Sequence, residues 1–127
     1  MLYAYLAIGG VLGTLARVGL GGWIQNLGGP SFPWGTFGVN LLGSFLLGLA
    51  MRGAELSALS PELRASVSLG FCGAFTTFST FSYETVLLLQ AGAWARASIY
   101  ALGSLGMGLL AILLGLATAD FLMRAEF

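Results

Sequence analysis

Gly70-Phe71-Cys72-Gly73-Ala74-Phe75-Thr76-Thr77-Phe78-Ser79-Thr80-Phe81-Ser82 sets glycines, hydroxyls and phenyl rings in the middle of a segment that otherwise reads as membrane-spanning. Backbone inside a bilayer must satisfy its own hydrogen bonds. Non-helical backbone at that depth is tolerated only inside protein or along a path for water or ions. The stretch therefore predicts a broken membrane helix with an ion site beside the break. Length alone leaves tilt or a break: a continuous helix over 62–90 would cover about 42 Å, against a hydrocarbon core of about 30 Å, and the local residues favour the break. Gly70 and Gly73 weaken a helix, and Thr76 and Thr77 offer side chains to the freed backbone groups. A break near Gly73–Thr76 is expected.

Working outward, three long runs carry no charge: 18–51, 65–83 and 97–119. The chain of 127 residues is 57% hydrophobic and 8% charged, where soluble domains carry about 25% charge. Four spans follow, at about 3–24, 33–51, 62–90 and 94–123, making 1–127 a single all-α integral membrane domain. Ser60-Pro61-Glu62 opens the third with a hydroxyl cap, a proline that needs no amide donor, and an acid at the positive helix end. Trp23, Trp34 and Trp94 fall at span ends, where amphipathic rings prefer to sit. The first segment has no basic leader and outruns a cleaved signal, so the spans themselves are expected to direct insertion.

Histidine is absent and Cys72 is the single cysteine, so zinc or haem ligation and an internal disulfide have no residues to use. With no net charge and scattered arginines, nucleic acid is not an expected partner. No nucleophile–base pair is visible either, and an enzyme is not expected. With four spans, Arg52, Arg64 and Arg124 share one side and Arg17 and Arg96 the other, so the cationic bias that orients membrane proteins nearly cancels. Either the small excess fixes one orientation, or the chain inserts both ways and pairs antiparallel, as inverted repeats do within one chain.

Several side chains have two roles open to them. Asn40, central in the second span, needs hydrogen-bond partners: a neighbouring helix, or a permeant anion. Phe71, Phe75, Phe78 and Phe81 share a stripe if the segment is helical, either as packing or with their positive ring edges toward an anion. Tyr100 and Ser104 make a short hydroxyl track or an interhelical contact. Arg17 either attracts anions to a vestibule or snorkels to the interface. Glu84 is a pore-rim residue or a proton-coupled carboxylate, the latter implying a small dual-topology exporter of hydrophobic cations. Asp120 is placed to pair with Arg124 one turn on. Gly9-x-x-x-Gly13, Ser44-x-x-x-Gly48 and Ser104-x-x-x-Gly108 allow helices to approach closely.

Gly9 through Arg17, Gly35 through Phe45 and, most specifically, Gly70 through Phe81 resemble the signatures of the Fluc/CrcB family of fluoride channels, and the likeness covers essentially the whole chain. The resemblance implies passive fluoride export across the inner (plasma) membrane by an antiparallel, dual-topology homodimer with two pathways. It implies that Phe78 and Phe81 line each pathway and that Asn40 donates to fluoride. Thr77, Ser79 and Thr80 would add hydroxyls, and Tyr100 and Ser104 a polar track. Arg17 would stand in the vestibule and Glu84 at the rim. Backbone carbonyls of Gly73 and Thr76 from both chains would hold a structural sodium ion. Gly108 stands where the track often has another serine.

Overall fold

The computed structural model describes residues 1–126, so the last residue of the 1–127 unit lies outside the described residues. The chain is all-helical. Helix α1 (Leu2–Gly28) ends where Gly29 takes a φ of 82°, a left-handed conformation that glycine adopts without strain. Its last free carbonyls are partly met by the Gly29 amide, which donates to Gln25. Helix α2 (Trp34–Leu56) stops at extended Ser57, whose hydroxyl donates to the Gly53 carbonyl at 2.7 Å. Both outrun the expected span ends, because no proline interrupts either before those caps.

The third segment is in two halves. The first, α3a, covers 61–75: α-helix at Pro61–Ala65, a wider π-helix at Ser66–Cys72, and α-helix again at Gly73–Phe75. Ser60 caps it as expected, its hydroxyl accepting from the Leu63 amide at 3.3 Å. The second, α3b (Phe78–Gln90), leads through a turn at Gly92 into α4 (Trp94–Arg124). Thr76 and Thr77 between the halves are extended, with φ/ψ of −91/158° and −149/119°. The expected break is therefore present, displaced slightly toward the C-terminus. Gly73 itself stays helical at −63/−37°, since a glycine only lowers helix stability, whereas the two threonines supply groups that hold an alternative.

The break also divides the phenyl stripe. Phe71 and Phe75 stack within α3a at 5.6 Å, while Phe78 and Phe81 form a separate pair in α3b at 5.8 Å. A single stripe needed continuous helical phase, which the extended threonines destroy.

Helices α1, α2 and α4 are each long and apolar enough to cross a membrane, and the protein is a multi-pass membrane protein. The helices meet through glycine. The Gly9 and Gly70 backbones press α1 onto α3a so closely that a Cβ on Gly70 would lie 3.0 Å from the Leu6 carbonyl oxygen. The Ser66 hydroxyl closes this seam by donating to the Tyr5 carbonyl at 2.6 Å. On the other side, Gly48 of α2 and Gly115 of α4 each face the partner helix's backbone; a Cβ on Gly115 would stand 2.8 Å from the Leu49 nitrogen. Gly108 is looser, with Ser44 Oγ at 3.9 Å from the corresponding point. Small residues at such seams replace the hydrophobic drive that lipid does not supply.

One electrostatic expectation is corrected. Asp120 accepts from Arg52 Nε across the α2–α4 seam at 2.7 Å, not from Arg124 one turn along its own helix. Arg52 also reaches Glu55 at 2.8 Å, so a cross-helix guanidinium between two carboxylates takes the place of the local pair.

Candidate functional site

The break is stitched by three side chains. Thr76 ends α3a: its amide and its hydroxyl both donate to the Cys72 carbonyl, at 3.1 and 3.0 Å. Thr77 begins α3b, its hydroxyl accepting from the Thr80 amide at 3.2 Å, as an N-cap does. The backbone of Thr77 is then left with no helical partner on either side. Asn40 of α2 supplies both: its Oδ1 accepts from the Thr77 amide at 2.7 Å and its Nδ2 donates to the Thr77 carbonyl at 3.0 Å. A carboxamide is the side chain that can do this, since it presents a donor and an acceptor side by side. Gly43, one turn further along α2, allows the approach, because a Cβ there would press on Thr76 and on the Phe75 ring.

Beside this clamp lies an open groove of about 480 Å³. Among its walls are Asn40 and Ser44 from α2, Gly73, Thr76, Thr77, Phe78 and Phe81 from the broken segment, and Ser104 from α4. Ser104 Oγ is buried without a hydrogen-bond partner, alone in this among the described residues. Phe78 is 79% exposed on the single chain. The Thr77 hydroxyl has Thr80 Oγ1 at 3.1 Å and Ser79 Oγ at 3.4 Å, a hydroxyl cluster at the start of α3b.

Past Phe81 the groove gives way to a packed polar–aromatic row. Phe81 meets Tyr100 edge to face at 5.0 Å. Tyr100, fully buried, donates to Glu84 Oε2 at 2.8 Å, and Glu84 Oε1 accepts from Thr36 at 2.7 Å. Thr36 was not singled out from the sequence. Its signal was available: it precedes Asn40 by one helical turn and so shares its face.

The structure thus brings Asn40, Gly73, Thr76, Thr77, Phe78, Phe81 and Ser104 to one groove, with Tyr100 and Glu84 continuing from it and Ser79 and Thr80 around Thr77. Arg17 stands apart, half-buried on α1, outside the groove lining and without an ion pair among the described residues. No cluster of acidic or cysteine side chains suited to a metal occurs among the described residues. At Gly73 a Cβ would find ordinary contact, its nearest neighbour being the Ser68 carbonyl oxygen at 3.9 Å.

Residues 4–116 match the family described as CrcB-like protein, Camphor Resistance (CrcB). Among curated relatives, the Fluoride-specific ion channel FluC of Thermus thermophilus is 52% identical over 113 residues, 89% of this chain and 89% of the relative. The protein of the same name from Acidobacterium capsulatum is 45% identical over 121 residues, 94% of this chain and 97% of the relative. That of Geobacter sulfurreducens is 44% identical over 115 residues, covering 90% and 93%. A match along nearly the full length of these relatives, over the same segments that build the clamp and the groove, places the chain: it belongs to the CrcB-like family.

Proposed function

We propose that this protein is a fluoride-specific ion channel and not an enzyme. Family membership and three like-named relatives support the activity; the clamp at Thr77 supports the mechanism. Fluoride is small and tightly hydrated, so a conduit must replace its water with donors that do not trap it by full charge. The Asn40 carboxamide retains a second N–H after serving Thr77. The Ser104 hydroxyl has no protein partner to give up. Phe78 and Phe81 can offer positively polarised ring edges, and the hydroxyls of Thr77, Ser79, Thr80 and Tyr100 continue the polar lining. Arg17 raises the potential of the entrance and Glu84 forms the far rim.

The groove is open on one side, and a single four-span chain does not enclose it. A second copy, inserted upside down, would wall it off and give a dual-topology homodimer with two pathways. In that arrangement α3a and α3b together make the third crossing of one four-span unit. The donor set at the break suits a structural sodium ion: the neutral backbone carbonyls of Gly73 and Thr76 offer oxygen donors, which hard cations take. When bound, such an ion would offset the dipoles of the carbonyls freed at the break in a low-dielectric surrounding. The observation carrying the proposal is that one side chain, Asn40, both holds the break and lines the groove.

Liposomes loaded with fluoride and monitored by a fluoride electrode test this. Wild type empties them; Phe78→Ile and Asn40→Asp do so far more slowly while eluting as the same assembled species. Wild-type liposomes that retain fluoride overturn the proposal. The exporter alternative would use Glu84 as its proton carrier, and that carboxylate has both oxygens engaged by Thr36 and Tyr100.

A further inference from the structure

Asn40 and Ser44 stand one turn apart on α2, and Ser104 and Gly108 one turn apart on α4, so each pair shares a face of its helix. All four line the groove, and Ser44 is the only hydroxyl that α2 gives it. Three of these positions are polar and the fourth has no side chain. Ser44 Oγ lies 3.9 Å from the point where a Cβ on Gly108 would stand. The hydroxyl of α2 therefore reaches the level at which α4 offers nothing.

That hydroxyl is not spent on the protein. Ser68, Ser82, Thr85 and Thr118 each donate to the carbonyl four residues back, at 2.8, 2.9, 2.8 and 2.7 Å, a common use of a hydroxyl within a helix. Among the described residues, the side-chain hydrogen bonds of α2 are made by Thr36, Asn40, Arg52 and Glu55, and Ser44 has none. Ser104 Oγ is likewise without a partner. One turn beyond Ser44 the α2 lining is apolar Leu47, so the donors of this wall end at Ser44.

We infer that the Ser44 hydroxyl is a further fluoride donor of the proposed pathway, supplying from α2 what Gly108 leaves vacant on α4. A hydroxyl bound to a charged acceptor makes one of the stronger kinds of hydrogen bond. With Asn40 a turn before it and Ser104 on the neighbouring helix, a dehydrated anion passes between neutral donors and is not held by a full charge. The inference rests on the channel reading above.

The test measures fluoride efflux from liposomes for wild type, Ser44→Ala, Gly108→Ser and the Ser44→Ala/Gly108→Ser double variant. Ser44→Ala is expected to lower efflux several-fold while eluting as wild type does. Gly108→Ser, whose added carbon meets only ordinary contact, should keep wild-type efflux. The double variant should recover most of the loss, because the hydroxyl returns at the same level from the other helix, a coupling that independent sites do not show. A merely structural role, with Ser44 as a small residue at the α2–α4 seam, leaves Ser44→Ala at the wild-type rate, and that result overturns the inference. So does a double variant no faster than Ser44→Ala where Gly108→Ser alone conducts. Should either variant carrying Gly108→Ser aggregate or fail to conduct, the fluoride concentration giving half-maximal efflux decides: a raised value in Ser44→Ala supports a donor, and an unchanged one overturns it. Wild-type liposomes that retain fluoride instead overturn the channel reading.

Discussion

Asn40 and Thr77 carry the finest detail of the molecule, and their exchange of two hydrogen bonds makes substitutions at position 40 distinguishable. Asn40→Ala leaves an amide and a carbonyl without partners in a region shielded from water, at about 1–3 kcal/mol each; lower thermal stability in detergent should accompany lost flux. Asn40→Asp keeps the acceptor for the Thr77 amide but sets an oxygen, charged when ionised, against the Thr77 carbonyl, so it should lose flux with a stability loss at least as large. Comparing melting temperature with efflux in the two variants checks this. Ser104→Ala removes a buried hydroxyl that no protein group uses, so flux should fall with stability unchanged or raised. In the sequence, Asn40 was legible as a polar residue in need of partners, but the partner was not. A backbone amide thirty-seven positions away leaves no local signature.

The third segment shows how far pattern reading reaches at the level of an element. Its excessive length and its threonines announced a break, and the break is there. Its site depended on which residues could cap, and Thr77, whose hydroxyl takes the Thr80 amide, fixes it just past the glycines. The π-helix at Ser66–Cys72, which packs on α1 and is bonded to it through Ser66 and Tyr5, had no equivalent signal. Removing the cap by Thr77→Ala should cost about 1 kcal/mol, with Thr77→Ser restoring it, as read by thermal unfolding of the purified protein. At the α2–α4 seam, Gly115→Val sets a branched side chain against the Phe45 and Leu49 backbone. Overpacking of this kind costs about 1–3 kcal/mol or more, and a lowered melting temperature is the expected result. Gly106→Val, where nothing lies within 4 Å, should be tolerated at the same seam's outer face.

For the whole molecule, the apolar composition and charge-free runs gave the membrane class and the number of helical segments. They gave no contacts between segments, and the Asp120–Arg124 pair failed for that reason: spacing along one helix could not show Arg52 waiting on another. The proposed antiparallel dimer makes its own prediction. Tags on both termini should be accessible from both sides of the membrane in a population of wild-type protein, and exclusive access from one side would remove dual insertion. The sodium proposal predicts that replacing sodium with a large organic cation during purification loosens the dimer, as seen by its elution. The Arg52–Asp120 clasp bears on how such a chain is made. Its two members lie 68 residues apart, so during synthesis Arg52 reaches the insertion machinery long before Asp120 exists, with Glu55 as its nearby acid. Orientation is then decided before the cross-helix half of the clasp can form, and since acids weigh little in that choice Arg52 is counted despite Glu55. The finished protein conceals the imbalance under which its nascent form was sorted.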